Sequence, residues 1–165
     1  LPPSYSPSSE ELEKAFDAAL TFVLAHIERL MARYREIAAA KGAVKAAMER
    51  GETCLFFDEP LPWLDAFFTL GGEHHPALFI IMPTKGEWKL RGIPPSYEER
   101  MRVRLPLPES WAGLHDEALE AVSGIPGAVF CHKGRFISVW KTKESAMEAL
   151  TQVLAGVRID HGNPF

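Results

Sequence analysis

Ser123-Gly-Ile-Pro-Gly-Ala-Val-Phe-Cys-His-Lys-Gly-Arg-Phe-Ile-Ser-Val-Trp140 is the stretch on which the reading of the chain turns. Gly124, Pro126 and Gly127 make a turn, Ala128 to Cys131 is a short apolar run, and Phe136 to Trp140 is a second. Between the runs stand His132, Lys133 and Arg135 around Gly134, which is free to take a positive φ. The pattern is a β-hairpin with a cationic tip. Such a tip is either a phosphate or carboxylate site or a solvated loop, and charged hairpin tips are common.

Upstream of the hairpin, Leu114 to Val122 reads as a short helix, and Leu105-Pro-Leu-Pro-Glu-Ser-Trp111 as a rigid irregular segment anchored by Trp111. Ala77 to Met82 and Glu87 to Ile93 form another hairpin across Pro83-Thr84-Lys85-Gly86. Lys89 and Arg91 alternate there with Trp88 and Leu90, so the two cations share a face opposite the core. Thr53 to Phe57 is a further strand, and Leu61 to Leu70 a short helix beneath the sheet. Downstream, Thr142 caps a last helix with Ala146, Leu150 and Val153 facing inward.

The N-terminal third is helical. Ser8 and Glu11 form a capping box. Leu12, Phe16, Leu20, Val23, Ile27, Leu30, Tyr34 and Ile37 then recur at spacings of a long amphipathic helix of about eight turns. The seam is read as lying across a sheet, with a homodimer through residues 8–38 as the alternative. Gly42 is expected to interrupt it, leaving Ala43 to Arg50 as a second helix stopped by Gly51. The sum is one α+β domain over 8–157, with a mostly antiparallel sheet of about five strands and helices packed on it. Residues 1–7 read as a Pro-rich linker and 158–165 as a polar tail. The chain opens on Leu1 without Met, which suggests a piece of a longer protein.

Composition narrows the function. Hydrophobic residues at 47% and charged residues at 24% are ordinary for a globular domain. A net charge of −4 argues against a broad nonspecific grip on nucleic acid, though not against a local basic patch. Cys54 and Cys131 are too few for a disulfide framework and sit in apolar runs, so reduced buried thiols and a cytoplasmic setting are expected. No apolar run approaches the roughly 20 residues of a membrane span.

The chemistry of catalysis is missing. There is no Gly-rich phosphate loop, CxxC pair, HExxH or nucleophile elbow. Cys131 and His132 are adjacent on a strand and point to opposite faces, as do His74 and His75 if extended. Asp58 and Glu59 lack a histidine at ligand spacing. From its residues this is a binding or accessory domain before it is an enzyme, and no metal is expected in it.

Several segments together resemble the C-terminal half of the Myg, or melanocyte-proliferating-gene, family. They are Leu61-Pro-Trp63, Phe79-Ile-Ile-Met-Pro83, Arg104-Leu-Pro-Leu-Pro-Glu-Ser-Trp111, Ser123-Gly-Ile-Pro-Gly127, Phe130-Cys-His132 and Thr142-Lys-Glu-Ser-Ala146. The family is similar to DHH-type metal-dependent phosphoesterases and exonucleases. The resemblance implies that an N-terminal catalytic domain, outside this chain, holds a divalent metal such as manganese. It further implies that this half closes over that site and grips a phosphate-bearing substrate, the end of an RNA or DNA strand. Arg104 and His132 match family positions and are the substrate-side candidates, Arg for bidentate phosphate binding and His as a donor. Lys133, Gly134 and Arg135 join them from the hairpin-tip reading. The chain departs from the family at Ser138-Val139, where two glycines are usual, and at Ala112 and His115, where Arg is usual.

Overall fold

A computed structural model describes residues 6–160. Helix α1 (Ser9–Glu49) begins as its sequence dictates. Ser8 N donates to Glu11 Oε2 at 2.8 Å and Glu11 N to Ser8 Oγ at 3.3 Å, a reciprocal capping box. It does not break at Gly42. A glycine in a helix interior costs only about 1 kcal/mol, and the alanines on both sides hold the helix through it. The chain divides into two compact units, Leu1–Ala39 and Ala40–Phe165.

In the first unit the apolar seam is exposed. Leu12, Phe16, Leu20, Val23, Ile27 and Leu30 are all exposed, Phe16 at 66%. The buried residues of α1 begin only at Ala40, with Val44 and Ala47.

The second unit is built on a five-stranded sheet of order β1-β2-β3-β5-β4. Its strands are β1 (Cys54–Phe56), β2 (Phe79–Thr84), β3 (Glu87–Gly92), β4 (Ala128–Cys131) and β5 (Ile137–Trp140). Only β1–β2 is parallel, because α2 (Trp63–Thr69) supplies the crossover that parallel neighbours require. The β2–β3 turn is Lys85–Gly86, both at positive φ (49° and 82°), as a two-residue hairpin demands. The fold class read from sequence is therefore the observed one, α+β with a mostly antiparallel sheet.

Alternation sorts the strands onto two faces. On one, Phe79, Ile81, Leu90 and Trp140 pack with Leu119 of α3 (Asp116–Ser123), with Leu150 and Val153 of α4 (Lys143–Asp160), and with Leu107 and Trp111. Trp111 is the expected anchor, 2% exposed and edge-on to Trp140. On the other face Leu55, Ile80 and Met82 pack with Trp63 and Phe67 of α2 and with Val44 and Ala47. That cluster stops at β3 and takes no residue from β4 or β5.

The organising hairpin is pinned at its base. Thr142 Oγ1 accepts from Ser145 N at 3.1 Å, capping α4, and Ser145 Oγ donates to Pro126 O at 2.7 Å. Helix α4 continues to Asp160, so the segment read as a tail begins helical. Residues 1–5 of the expected linker and 161–165 of the tail lie outside the described residues. Among the described residues no helix is long and apolar enough to cross a membrane.

Candidate functional site

The hairpin tip closes through Arg135 N to His132 O at 2.8 Å and His132 N to Ile137 O at 2.9 Å. Its left-handed residue is Arg135 (φ 60°), not Gly134 as the sequence led us to expect. A three-residue loop with a type I turn needs that conformation at its last position. Gly134 is required for space instead. A Cβ there would lie 3.1 Å from both His132 Nδ1 and Phe136 Cδ1. Gly134 N donates to His132 Nδ1 at 2.9 Å, which leaves the proton of the neutral ring on Nε2. With Phe136 4.3 Å from its centroid, the imidazole is braced and offers one outward donor.

The other tip residues go different ways. Arg135 Nε donates to Leu107 O at 2.7 Å, and the side chain lines a cavity of about 550 Å³ with Pro108, Glu109 and Val153. Lys133 is exposed beside Gly113. Arg104 is occupied by the protein itself. Its Nη1 donates to His75 O at 2.6 Å and Ala77 O at 2.8 Å, Nη2 to Gly72 O at 2.7 Å, and Nε to Pro94 O at 3.1 Å. Four of the five N–H groups of a guanidinium are thereby committed to carbonyls. The bidentate phosphate grip read for Arg104 from the family resemblance has no free edge to use. Burial holds its pKa below the usual arginine value. His75 belongs to the same brace, its Nε2 2.8 Å from Met48 O and its Nδ1 accepting from Ala77 N at 3.1 Å.

The sheet register assembles a different cluster. His115 bridges Phe130, Phe130 pairs with Val139, and Val139 pairs with Lys89. One step along, Ile137 pairs with Arg91, and His132 stands opposite Ile137. Paired residues share a face, so Lys89 and Arg91 border the second core cluster at Met82 and Ile80, and Phe130, His132 and His115 continue the same face beyond it. The His115 and Phe130 rings stack at 6.1 Å and 28°. Arg91 sits 5.8 Å from the Trp63 centroid at the margin of α2.

Lys89 and Arg91 are half-buried, and among the described residues neither has a carboxylate within 4.0 Å. Burial, and then the charge of Arg91, hold the Lys89 pKa below that of an ordinary lysine; burial does the same to Arg91. Two neighbouring cations, partly dehydrated and unpaired, form an anion-seeking surface. Alternation had placed Lys89 and Arg91 opposite the core, but their missing acidic partners and their register with Phe130 and His132 are tertiary facts. Two of the departures, Val139 and His115, fall on this surface. Val139 occupies the row between Lys89 and Phe130, His115 ends it, and Ser138 on the opposite face accepts from Trp140 Nε1 at 2.9 Å.

Neither cysteine is an activated nucleophile. Burial raises the Cys131 thiol to about 11 and pushes Cys54 higher still. Among the described residues no three His, Cys, Asp or Glu side chains come together to hold a metal ion. Asp58 is drawn instead to Lys143 Nζ at 2.7 Å.

A family model, MYG1_exonuc, described as Uncharacterised protein family (UPF0160), matches residues 2–154. The MYG1 protein of Chlamydia pneumoniae is 48% identical over 153 residues, covering 91% of this chain and 53% of that protein. The MYG1 protein of Chlamydia trachomatis is 46% identical over 157 residues, with coverages of 94% and 54%. A protein named MYG1 exonuclease in Homo sapiens is 30% identical over 167 residues, with coverages of 94% and 44%. The chain thus spans about half the length of these relatives. No solved structure matches it.

Proposed function

The chain belongs to the MYG1_exonuc family, and from that premise we propose that it is the substrate-holding part of a nuclease. In this reading it is the C-terminal half of a DHH-type phosphoesterase or exonuclease. The catalytic divalent metal, manganese being one candidate, is bound by an N-terminal half against which this one closes. The substrate is the end of an RNA or DNA strand, and the setting is cytoplasmic. The name exonuclease, carried by the human relative, supports the chemistry.

The observation that carries the reading is the cation pair Lys89 and Arg91, without a carboxylate partner among the described residues and in register with the stacked His115 and Phe130 rings. Lys89 and Arg91 meet phosphate oxygens. Phe130 with His115 offers a ring surface for a base, and His132 Nε2–H donates to a further oxygen. Arg104 braces the loops at the same end of the sheet, and Lys133 adds positive charge at the tip. In this reading the face binds and orients.

Fluorescence anisotropy with short single-stranded oligonucleotides tests this directly. Binding is expected to weaken with salt, and Lys89→Ala or Arg91→Ala is expected to lower the salt slope by about one each. Salt-independent binding, or slopes unchanged in both variants, would remove the face from the argument. Oligonucleotide cleavage by this chain with manganese added would overturn the division of labour.

A further inference from the structure

The first unit carries a feature the substrate reading does not use. Leu12, Phe16, Leu20, Val23, Ile27 and Leu30 form one stripe along α1, every one of them at least 41% exposed. Spacings of three and four keep such a stripe on one side of a helix. Over Ser9–Ala39, at 1.5 Å per residue, it runs for about 45 Å. A stripe of that length left in water is unfavourable and calls for a partner.

The charges along the same helix say which partner. The first half of the helix holds Glu10, Glu11, Glu13 and Asp17 against the lone Lys14. The second half holds Arg29, Arg33 and Arg35 against Glu28 and Glu36. A two-fold interface must complement itself. Antiparallel pairing lays the acidic half of each helix along the basic half of the other, while parallel pairing sets four carboxylates beside four more. The apolar positions agree with the antiparallel register. Phe16 falls opposite Tyr34 of a second copy, Leu20 opposite Leu30, and Val23 opposite Ile27, so that these central layers are apolar on both sides, while Ile37 falls opposite Glu13.

We propose that residues 9–39 are a self-association surface through which two copies of this chain pair as an antiparallel two-helix coil. Both apolar layers and charge halves contribute, so the dimer weakens with salt as well as with apolar truncation.

Sedimentation velocity of the chain across a concentration series reads the association. A reversible monomer–dimer equilibrium is expected. Val23→Lys with Ile27→Lys should weaken it at least about tenfold, because two apolar contacts per copy are lost. Far-ultraviolet dichroism verifies that the helix persists in that variant, and the near-ultraviolet tryptophan signal that the second unit does. Orientation is read by disulfide trapping: Phe16→Cys mixed with Tyr34→Cys should cross-link to each other faster than either does to itself. Three results overturn the proposal: a monomer at every concentration, a dimer indifferent to the Val23/Ile27 variant, or preferential Phe16→Cys self-linkage. The first of these would leave the stripe to a different partner.

Discussion

Arg104→Ala separates a structural arginine from a substrate arginine. The side chain spends four N–H groups on the carbonyls of Gly72, His75, Ala77 and Pro94, at 2.6 to 3.1 Å. It also lies 5.5 Å from the Phe67 ring centroid. Hydrogen bonds to a charged donor contribute about 1.5–3 kcal/mol each when one partner is deleted. Water can re-solvate part of this half-buried site, and burying the guanidinium had its own cost. The net loss is therefore about 3–5 kcal/mol rather than the sum. With an m-value of about 2 kcal/mol/M, the urea midpoint should fall by about 2 M. Arg104→Lys should recover little, since an ammonium cannot span a fork of four carbonyls. Urea unfolding followed by tryptophan fluorescence measures both, and oligonucleotide affinity measured well below the transition should be unchanged. A midpoint shift under about 0.5 M, together with lost affinity, would refute the brace and restore Arg104 to the substrate.

Three further perturbations follow from the same geometry. Lys89→Met should stabilise the fold at neutral pH. The folded-state pKa of Lys89 is depressed, so the unfolded chain binds the proton more tightly, wild-type stability rises with pH between the folded and unfolded pKa values, and the advantage of Met shrinks there; urea melts at pH 7 and pH 10 check the sign. Gly72→Ala should destabilise by about 3 kcal/mol or more, because the new Cβ would lie 2.6 Å from the Phe67 carbonyl oxygen beneath the Arg104 brace; a thermal melt measures it. Lys85→Asn should stabilise by up to about 1 kcal/mol, since Lys85 holds φ 49° in a turn that asparagine tolerates better, and it should leave oligonucleotide binding untouched.

What could be read without coordinates was whatever depends on near neighbours in the chain. The capping box of Ser8 and Glu11, the Lys85–Gly86 hairpin, the Thr142 cap and the inward tryptophan at 111 follow from contacts over a few residues or from side-chain size, and all are found. The helix runs through Gly42 because one glycine is a weak signal against the alanines around it. Gly134 was misjudged because loop length, not residue type, chose where the positive φ fell. The seam of α1 was correctly periodic, but periodicity says only that a face is apolar and never what covers it. The fate of the site residues was beyond the sequence for the same reason. Arg104 and Arg91 are chemically identical, yet one reaches four backbone carbonyls and the other lies half-buried over the Trp63 ring, because carbonyls and strands far apart in sequence meet only when the sheet closes. Local sequence specified the elements and their caps; tertiary structure decided which charges were spent on backbone carbonyls and which were not.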